Sequence, residues 1–256
     1  MPLRSCFELD AIDDIEPWGE GENRSLHWFG LTSGRYWVST PVGEALRCTD
    51  QKASYWNLPS PYADYYVSRF FEDLQDVLPI ALTPVPPDIA ATVAGGDWFT
   101  RAERWIEESE EGDGRWMRCY EAMEWYHNRS LDSGHLVNGP LFHFLRVGDE
   151  VTILWEPTGE SSDGVWLTPR GQFTVSAEEL KSAAYAFFSE VLAAMQDRID
   201  SIQARGWHRA DCELDIALLI EDQRRRTALL EALKERRDET NWANVRSLIE
   251  PLSVEF

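Results

Sequence analysis

Apolar residues recur along this chain in two rhythms: alternation in blocks near residues 1–50 and 135–176, and a helical period between and after them. The densest stretch, Leu26 to Val38, reads LHWFGLTSGRYWV and sets Trp28, Phe29, Tyr36 and Trp37 around Thr32-Ser33-Gly34-Arg35. It predicts a β-hairpin turning at Ser33-Gly34, where glycine supplies the positive φ such turns need. Phe7-Glu8-Leu9 predicts a short strand before it, and Ala45-Leu46-Arg47-Cys48 a third strand after it. Rings at both 28 and 29 and at both 36 and 37 cannot all point inward, because successive strand side chains face opposite ways. A second ring face is expected, either covered by a helix or left to bind something.

Ser60-Pro61 has the form of an N-cap followed by proline at the first helical position. Tyr62, Tyr66, Phe70, Leu74 and Val77 follow near helical spacing, so a helix is predicted over 61–78, ended by Pro79 and able to cover the hairpin. Thr83-Pro84-Val85-Pro86-Pro87 predicts an extended surface connector. Gly95-Gly96-Asp97 opens a second helical region with Trp98, Ala102 and Trp105 on one face. A third helix is predicted over 115–128, with Trp116, Cys119, Tyr120, Met123 and His127 on one stripe.

In the second block, Leu141–Val147 and Val151–Trp155 predict two strands joined by a hairpin at Gly148-Asp149. Val165-Trp166-Leu167 and Gln172–Val175 predict two more. Ser176-Ala177-Glu178-Glu179 is a capping box, and Leu180, Ala184, Phe187, Val191, Met195 and Ile202 carry one face to a stop at Gly206. Phe188 and Leu192 make that helix apolar on a second side. Two further helices are predicted, Leu214 to Arg236 and Thr240 to Glu250, the last ended by Pro251. Strands and helices grouped in runs predict an α+β fold: one mixed or mostly antiparallel sheet from both blocks, packed by the helical middle and the C-terminal helices. The expected organisation is a core over 1–206 with a charged helical segment over 207–256 packed on it, or a single domain throughout.

Composition then narrows partners. With 24 basic and 45 acidic side chains the net charge is −21, a field that repels phosphate backbones and anionic membranes, so neither is an expected partner. A basic protein partner fits that field. A second copy of the chain is a further candidate, since Arg224-Arg225-Arg226 is a basic island that could pair with acidic runs, although such triplets more often pair along their own helix. The longest apolar runs fall far short of the ~20 residues of a membrane span. Without an apolar leader in MPLRSCFELDAIDD, a cytoplasmic location is expected.

Little patterned chemistry is present. Cys6, Cys48, Cys119 and Cys212 form no CxxC pair and read as reduced, mostly buried thiols, with Cys6 and Cys48 able to meet across strands. There is no G-x-S-x-G elbow, no H-E-x-x-H and no phosphate-binding glycine motif, and no cofactor is expected. His127, His135 and His143 are spaced evenly by eight, which suits no shared metal site. His143, between Phe142 and Phe144, is expected on an outer or edge face. Asp10, Asp13, Asp14 and Glu16 lack a calcium-loop pattern, and Glu107, Glu108, Glu110, Glu111 and Asp113 read as a solvated charge run or an interaction surface.

The stretches LHWFGLTSGRYW, SPYADYYVSRFFEDL and LTPVPPDIA, preceded by Phe7-x-Leu9 and Pro17-Trp18-Gly19, resemble in that order an uncharacterised bacterial family of unknown function. The resemblance is close over roughly the first 90 residues and looser beyond, and it implies no catalytic residue. The expectation from charge, rings and missing motifs is a non-catalytic protein-binding protein, of the kind represented by toxin-neutralising immunity proteins or bacterial defence components. Its expected binding residues are Trp28, Tyr36, Trp37, Glu107, Glu108, Glu110 and Glu111. The alternative is a hydrolase or transferase using His27, His135 or glutamates between sheet and helices. A third reading is a homo-oligomeric scaffold.

Overall fold

A computed structural model describes residues 2–93, 97–108, 114–157 and 164–255. In chain order the elements are β1 (Arg4–Leu9), β2 (Ser25–Leu26), β3 (Ser33–Thr40), β4 (Gly43–Ala45), α1 (Asp50–Tyr55), β5 (Ala63–Tyr66), α2 (Val67–Ala81), α3 (Pro87–Val93), α4 (Asp97–Glu107), α5 (Arg115–His127), β6 (Ser130–Asp132), β7 (Pro140–Val147), β8 (Glu150–Pro157), β9 (Gly171–Ser176), α6 (Ala177–Arg205), β10 (Glu213–Leu214), α7 (Ile216–Leu233) and α8 (Trp242–Glu255). The class is α+β, with antiparallel sheets packed against helices.

The two strand-rich blocks build two sheets rather than one. In the first, β3 is central, with β1 on one side and β4 and β5 on the other, all antiparallel. The second is the meander β6-β7-β8-β9. A bridge between Cys48 and Trp166 connects their margins, and Val165–Leu167 forms that bridge instead of the expected strand.

The predicted hairpin over Leu26–Val38 does not form. β2 leaves toward the C-terminal part of the chain, pairing in parallel with β10. Gly30–Thr32 then winds as a 3-10 turn, held where the Thr32 hydroxyl donates to the Phe29 carbonyl at 2.7 Å and accepts from the Ser68 backbone N–H at 3.1 Å. Gly34 lies inside β3 rather than at a turn. A Cβ there would meet the Glu8 carbonyl oxygen at 2.1 Å, so glycine serves the close approach of β1. The partner of β3 is therefore β1, and the hairpin is the tight connection from β3 to β4.

The first third of the predicted helix 61–78 is not helical, and four of its residues are strand. Ala63–Tyr66 pairs with β3, and α2 begins only at Val67. Pro79 sits in the last turn of α2 instead of ending it, and α8 likewise runs past Pro251. The Pro-rich connector is not merely superficial: Val85 is buried, and its N–H donates to the Arg146 carbonyl at 2.8 Å. By contrast α6 matches its sequence signals. Ser176 Oγ accepts the Glu179 N–H at 3.1 Å, Gly206 ends the helix at φ +77°, and both predicted apolar faces are buried.

Two hydrophobic clusters lie on either side of the second sheet. The larger combines the first sheet, α2, α6 and α7 with Phe142, Phe144, Ile153, Trp155 and Phe173 of the second. The smaller joins Val85, α3, α4, α5 and α8 against Leu145. The segment after 206 therefore divides, with α7 completing the first cluster and α8 the second. This explains His143. It points away from Phe142 and Phe144 as alternation requires, but that face is covered: Tyr126 stacks on its ring at 4.4 Å and Ser130 Oγ lies 2.6 Å from Nδ1. The imidazole is a buried ring, not an outer-face one.

Arg129 joins the two halves. Its side chain is fully buried, its guanidinium donates to the carbonyls of Ile80 in the last turn of α2 and of Thr83 just beyond it, and it pairs with Asp238 at 2.9 Å. The same guanidinium lies over the Trp242 ring of α8 at 5.3 Å.

Candidate functional site

The aromatic binding face placed on the hairpin is core. Trp28 is 1% exposed; its Nε1 donates to Gln223 at 2.8 Å, and the Arg226 guanidinium covers its ring at 4.0 Å. Tyr36 is fully buried against Phe70. Strict alternation along β3 explains this, since Tyr36, Val38 and Thr40 face inward. Trp37 takes the other face and is half-buried, stacked on Tyr62 at 3.9 Å. Neither Trp28 nor Tyr36 can reach a partner, and β5 with its preceding turn, not a helix, covers Trp37.

The acidic run is met only in part. Glu107 and Glu108 are exposed at the end of α4; Glu110, Glu111 and Asp113 lie outside the described residues, as do Gly95 and Gly96. The earlier acidic patch is structural. Asp10 accepts from Ser33 and pairs with Arg35 at 2.9 Å, Asp13 meets His208 at 2.7 Å, and Glu16 meets Arg24 at 2.5 Å. The arginine island is likewise paired within the chain: Arg224 and Arg225 with acids three residues earlier, and Arg226 with Glu72.

The histidines of the enzymatic alternative are occupied. His135 Nε2 lies 2.6 Å from the Tyr36 hydroxyl, which burial keeps protonated by raising its pKa. Burial, helped by the Arg69 guanidinium, pushes the imidazole down to about 4. It is therefore neutral, shares one hydrogen bond with Tyr36 through Nε2, and holds Nδ1 shielded from solvent without a hydrogen-bond partner. Asp73 stands nearby, pushed up to about 6 by burial against the pull of Arg69. Perturbed groups do converge here, but neither imidazole nitrogen is presented to a substrate. His27 is half-buried, accepting the Gly30 N–H at 3.3 Å with its ring edge-on to Trp18 at 4.5 Å. His127, His135 and His143 do not share a site, and among the described residues no group of three or more His, Cys, Asp or Glu side chains could hold a metal. The cysteines are free and mostly buried, and burial pushes the Cys48 thiol up to about 11, away from nucleophilic use.

Exposed rings occur elsewhere. Exposed Trp18 clusters with half-buried His27, Phe29 and Tyr66, its Nε1 donating to the Tyr66 hydroxyl at 2.6 Å. On α5, Trp116, Met117 and Tyr120 are 52%, 50% and 49% exposed, and the two rings stack at 5.3 Å. The predicted α5 stripe is thus split. Cys119 and Met123 face inward with Ala122 and Trp125, and Trp116 and Tyr120, one turn apart, face out. Exposed Glu121 and Glu124 share that outer side of the helix, and Glu107 and Glu108 stand at the end of the neighbouring α4; Arg104 and Arg118 are exposed cations among the described residues of the pair, Arg118 lying over the Trp105 ring at 5.3 Å. The signal available in the sequence was a Trp–Tyr pair at i, i+4 followed by glutamates at the same spacing.

Fold and surface together define an α+β protein whose patterned chemistry is packed into its core while rings and carboxylates remain outside. Among the described residues no helix is long and apolar enough to cross a membrane. The chain belongs to DUF5984, a family of unknown function, whose model it matches over residues 4–248. No curated protein and no solved structure matches it.

Proposed function

We propose that the protein is a non-catalytic binding protein that engages a basic protein through the outer face of α5 and the adjoining end of α4. The observation carrying this reading is the half-exposed Trp116–Met117–Tyr120 patch with four glutamates about it. Tryptophan and tyrosine supply large contact area at low entropic cost and dominate binding hot spots. Surrounding carboxylates within a net field of −21 speed encounter with a cationic partner and disfavour anionic ones. A toxin-neutralising immunity protein or a bacterial defence component acting in the cytoplasm is the class this reading assigns. The imidazole of His135, with Nε2 bonded to Tyr36 and Nδ1 shielded from solvent, weighs against the hydrolase alternative.

The test places a photo-crosslinking side chain at position 117 in the bacterial host and identifies adducts by mass spectrometry. The expected result is a discrete basic protein whose adduct disappears with Trp116→Ala/Tyr120→Ala and weakens from 0.1 M to 0.5 M salt. No adduct, adducts only with a second copy of the chain, or adducts indifferent to the double substitution would overturn the proposal.

A further inference from the structure

A cavity of about 560 Å³ lies where the end of α2, the β7–β8 turn, the start of α6 and the end of α7 meet. Its charge is opposite to that of the molecule. Arg146, Lys181, Lys234, Arg236 and Arg237 all line it, against only Asp149 and Glu178, while the chain as a whole carries −21. Three of the cations have carboxylate partners: Arg146 with Asp149 at 3.7 Å, Lys234 with Glu231 at 2.6 Å and Arg236 with Asp76 at 3.1 Å. Among the described residues the other two do not. Arg237 spends one guanidinium nitrogen on the carbonyls of Lys234 and Arg236, and Lys181 is exposed with no ion pair among the described residues.

Like charges gathered around a hollow repel one another, and in an acidic chain carboxylates are not scarce. Leaving two cations unmatched here suits an anion that arrives from outside. The walls narrow its chemistry. Leu78, Pro79, Leu82 and Leu233 give an apolar side, and Tyr185 is half-buried with its hydroxyl within the field of Lys234 and Arg237. The volume falls within the roughly 300–1,000 Å³ of small-molecule sites, which combine apolar walls with a few convergent polar groups. Guanidinium and ammonium donors together match phosphate oxygens, the former in pairs and the latter as a point charge.

We propose that this cavity binds a phosphorylated small molecule with a ring or apolar body, the chemical class that includes nucleotides, with Lys181 and Arg237 as its principal phosphate contacts. The site is separate from the α5 face and independent of the reading given to it.

Isothermal titration of the full chain at 0.15 M salt tests this with pyrophosphate (phosphate alone), ADP (phosphate and ring body), adenosine (body alone) and citrate (a non-phosphate polyanion). The expected order is ADP tighter than pyrophosphate, with citrate weaker and adenosine silent. Lys181→Glu and, separately, Arg237→Ala weaken ADP by about 10- to 100-fold, the scale of one lost charge-assisted hydrogen bond. Lys181 is exposed on α6, so its variant keeps the wild-type melting temperature and reports binding alone. Neither phosphate probe binding at millimolar concentration, citrate matching pyrophosphate, or ADP binding equally to wild type and both variants would each overturn the assignment.

Discussion

Arg129→Met replaces a fully buried guanidinium with an apolar side chain of similar length. Three acceptors lose their donor at once: the carbonyls of Ile80 and Thr83, and the Asp238 carboxylate, which is itself only 7% exposed. Burial pulls Arg129 down to about 10, so the guanidinium is still charged at neutral pH. Removing one partner of a buried ion pair strands the other charge, at a cost of about 3–5 kcal/mol. Asp238 keeps its bonds from the Thr240 N–H at 3.0 Å and hydroxyl at 2.7 Å, which places the expected loss at the lower end of that range. Out of a total stability of about 5–15 kcal/mol, and at about 2–4 °C per kcal/mol for a chain of this size, the melting temperature should fall by roughly 6–12 °C. Urea unfolding followed by circular dichroism and tryptophan fluorescence measures the change, since Trp242 lies on the same guanidinium. Arg129→Met/Asp238→Leu completes a double-mutant cycle and should cost less than the sum of its single changes by at least 1 kcal/mol, because no charge is left stranded. A loss below about 1 kcal/mol for Arg129→Met, or strict additivity in the cycle, would refute the view that this pair clamps the two halves together.

Other substitutions probe separate features. His143 and His135 are both pushed down to about 4 by burial, so the unfolded chain takes up protons that the folded chain refuses between about pH 6.5 and 4. Their stabilisation is complete above that window and is lost as pH falls through it. Asp73, raised to about 6, has the opposite sign: its contribution is present below its ordinary carboxylate range and lost as pH rises through 6. Denaturant titrations across pH 4–7 should therefore show stability falling on acidification, more gently in His143→Asn and more steeply in Asp73→Asn; an unchanged slope in both contradicts this. Gly34→Ala drives a methyl group into the Glu8 carbonyl and should cost about 1–3 kcal/mol or more by urea unfolding; a neutral effect would show that β1 and β3 can spread freely. Ser176→Ala removes the cap of α6 and should cost about 1 kcal/mol, whereas Trp116→Ala, on an exposed face, should leave the melting temperature within a degree or two.

What could be read from the sequence was what is decided locally. The capping box at Ser176, the unbroken apolar faces of α6 and the stop at Gly206 all lie within a few residues of what they determine. The β7–β8 hairpin was legible for the same reason, with Gly148 at φ +61° in its turn. Where the partner is distant, local pattern misled. Tyr62 and Tyr66 have helical spacing, yet pairing with β3 claims the residues around them for a strand. Gly34 resembled a turn glycine because tolerance of positive φ and tolerance of a neighbouring backbone look identical in one letter. Alternation placed His143 opposite its phenylalanines correctly but could not reveal that α5 covers that face. The candidate surface was missed on similar grounds. Trp116 and Tyr120 sit on the α5 stripe by periodicity, and only the packing of Ala122 and Trp125 rotates them outward.

The parallel pairing of β2 with β10, and the bond from Trp28 to Gln223, tie the opening of the chain to its last quarter. A ribosome makes these partners in the wrong order for early completion. When Trp28 is joined to the growing chain, the residue that receives its indole N–H is still 195 positions from being synthesised. The N-terminal aromatic block must therefore wait with apolar surface uncovered until α7 clears the exit tunnel, at roughly 5–20 residues per second. Nascent chains stalled before α7 should be the substrates on which chaperones act, and a message truncated near residue 206 should yield an aggregating product instead of a smaller folded protein.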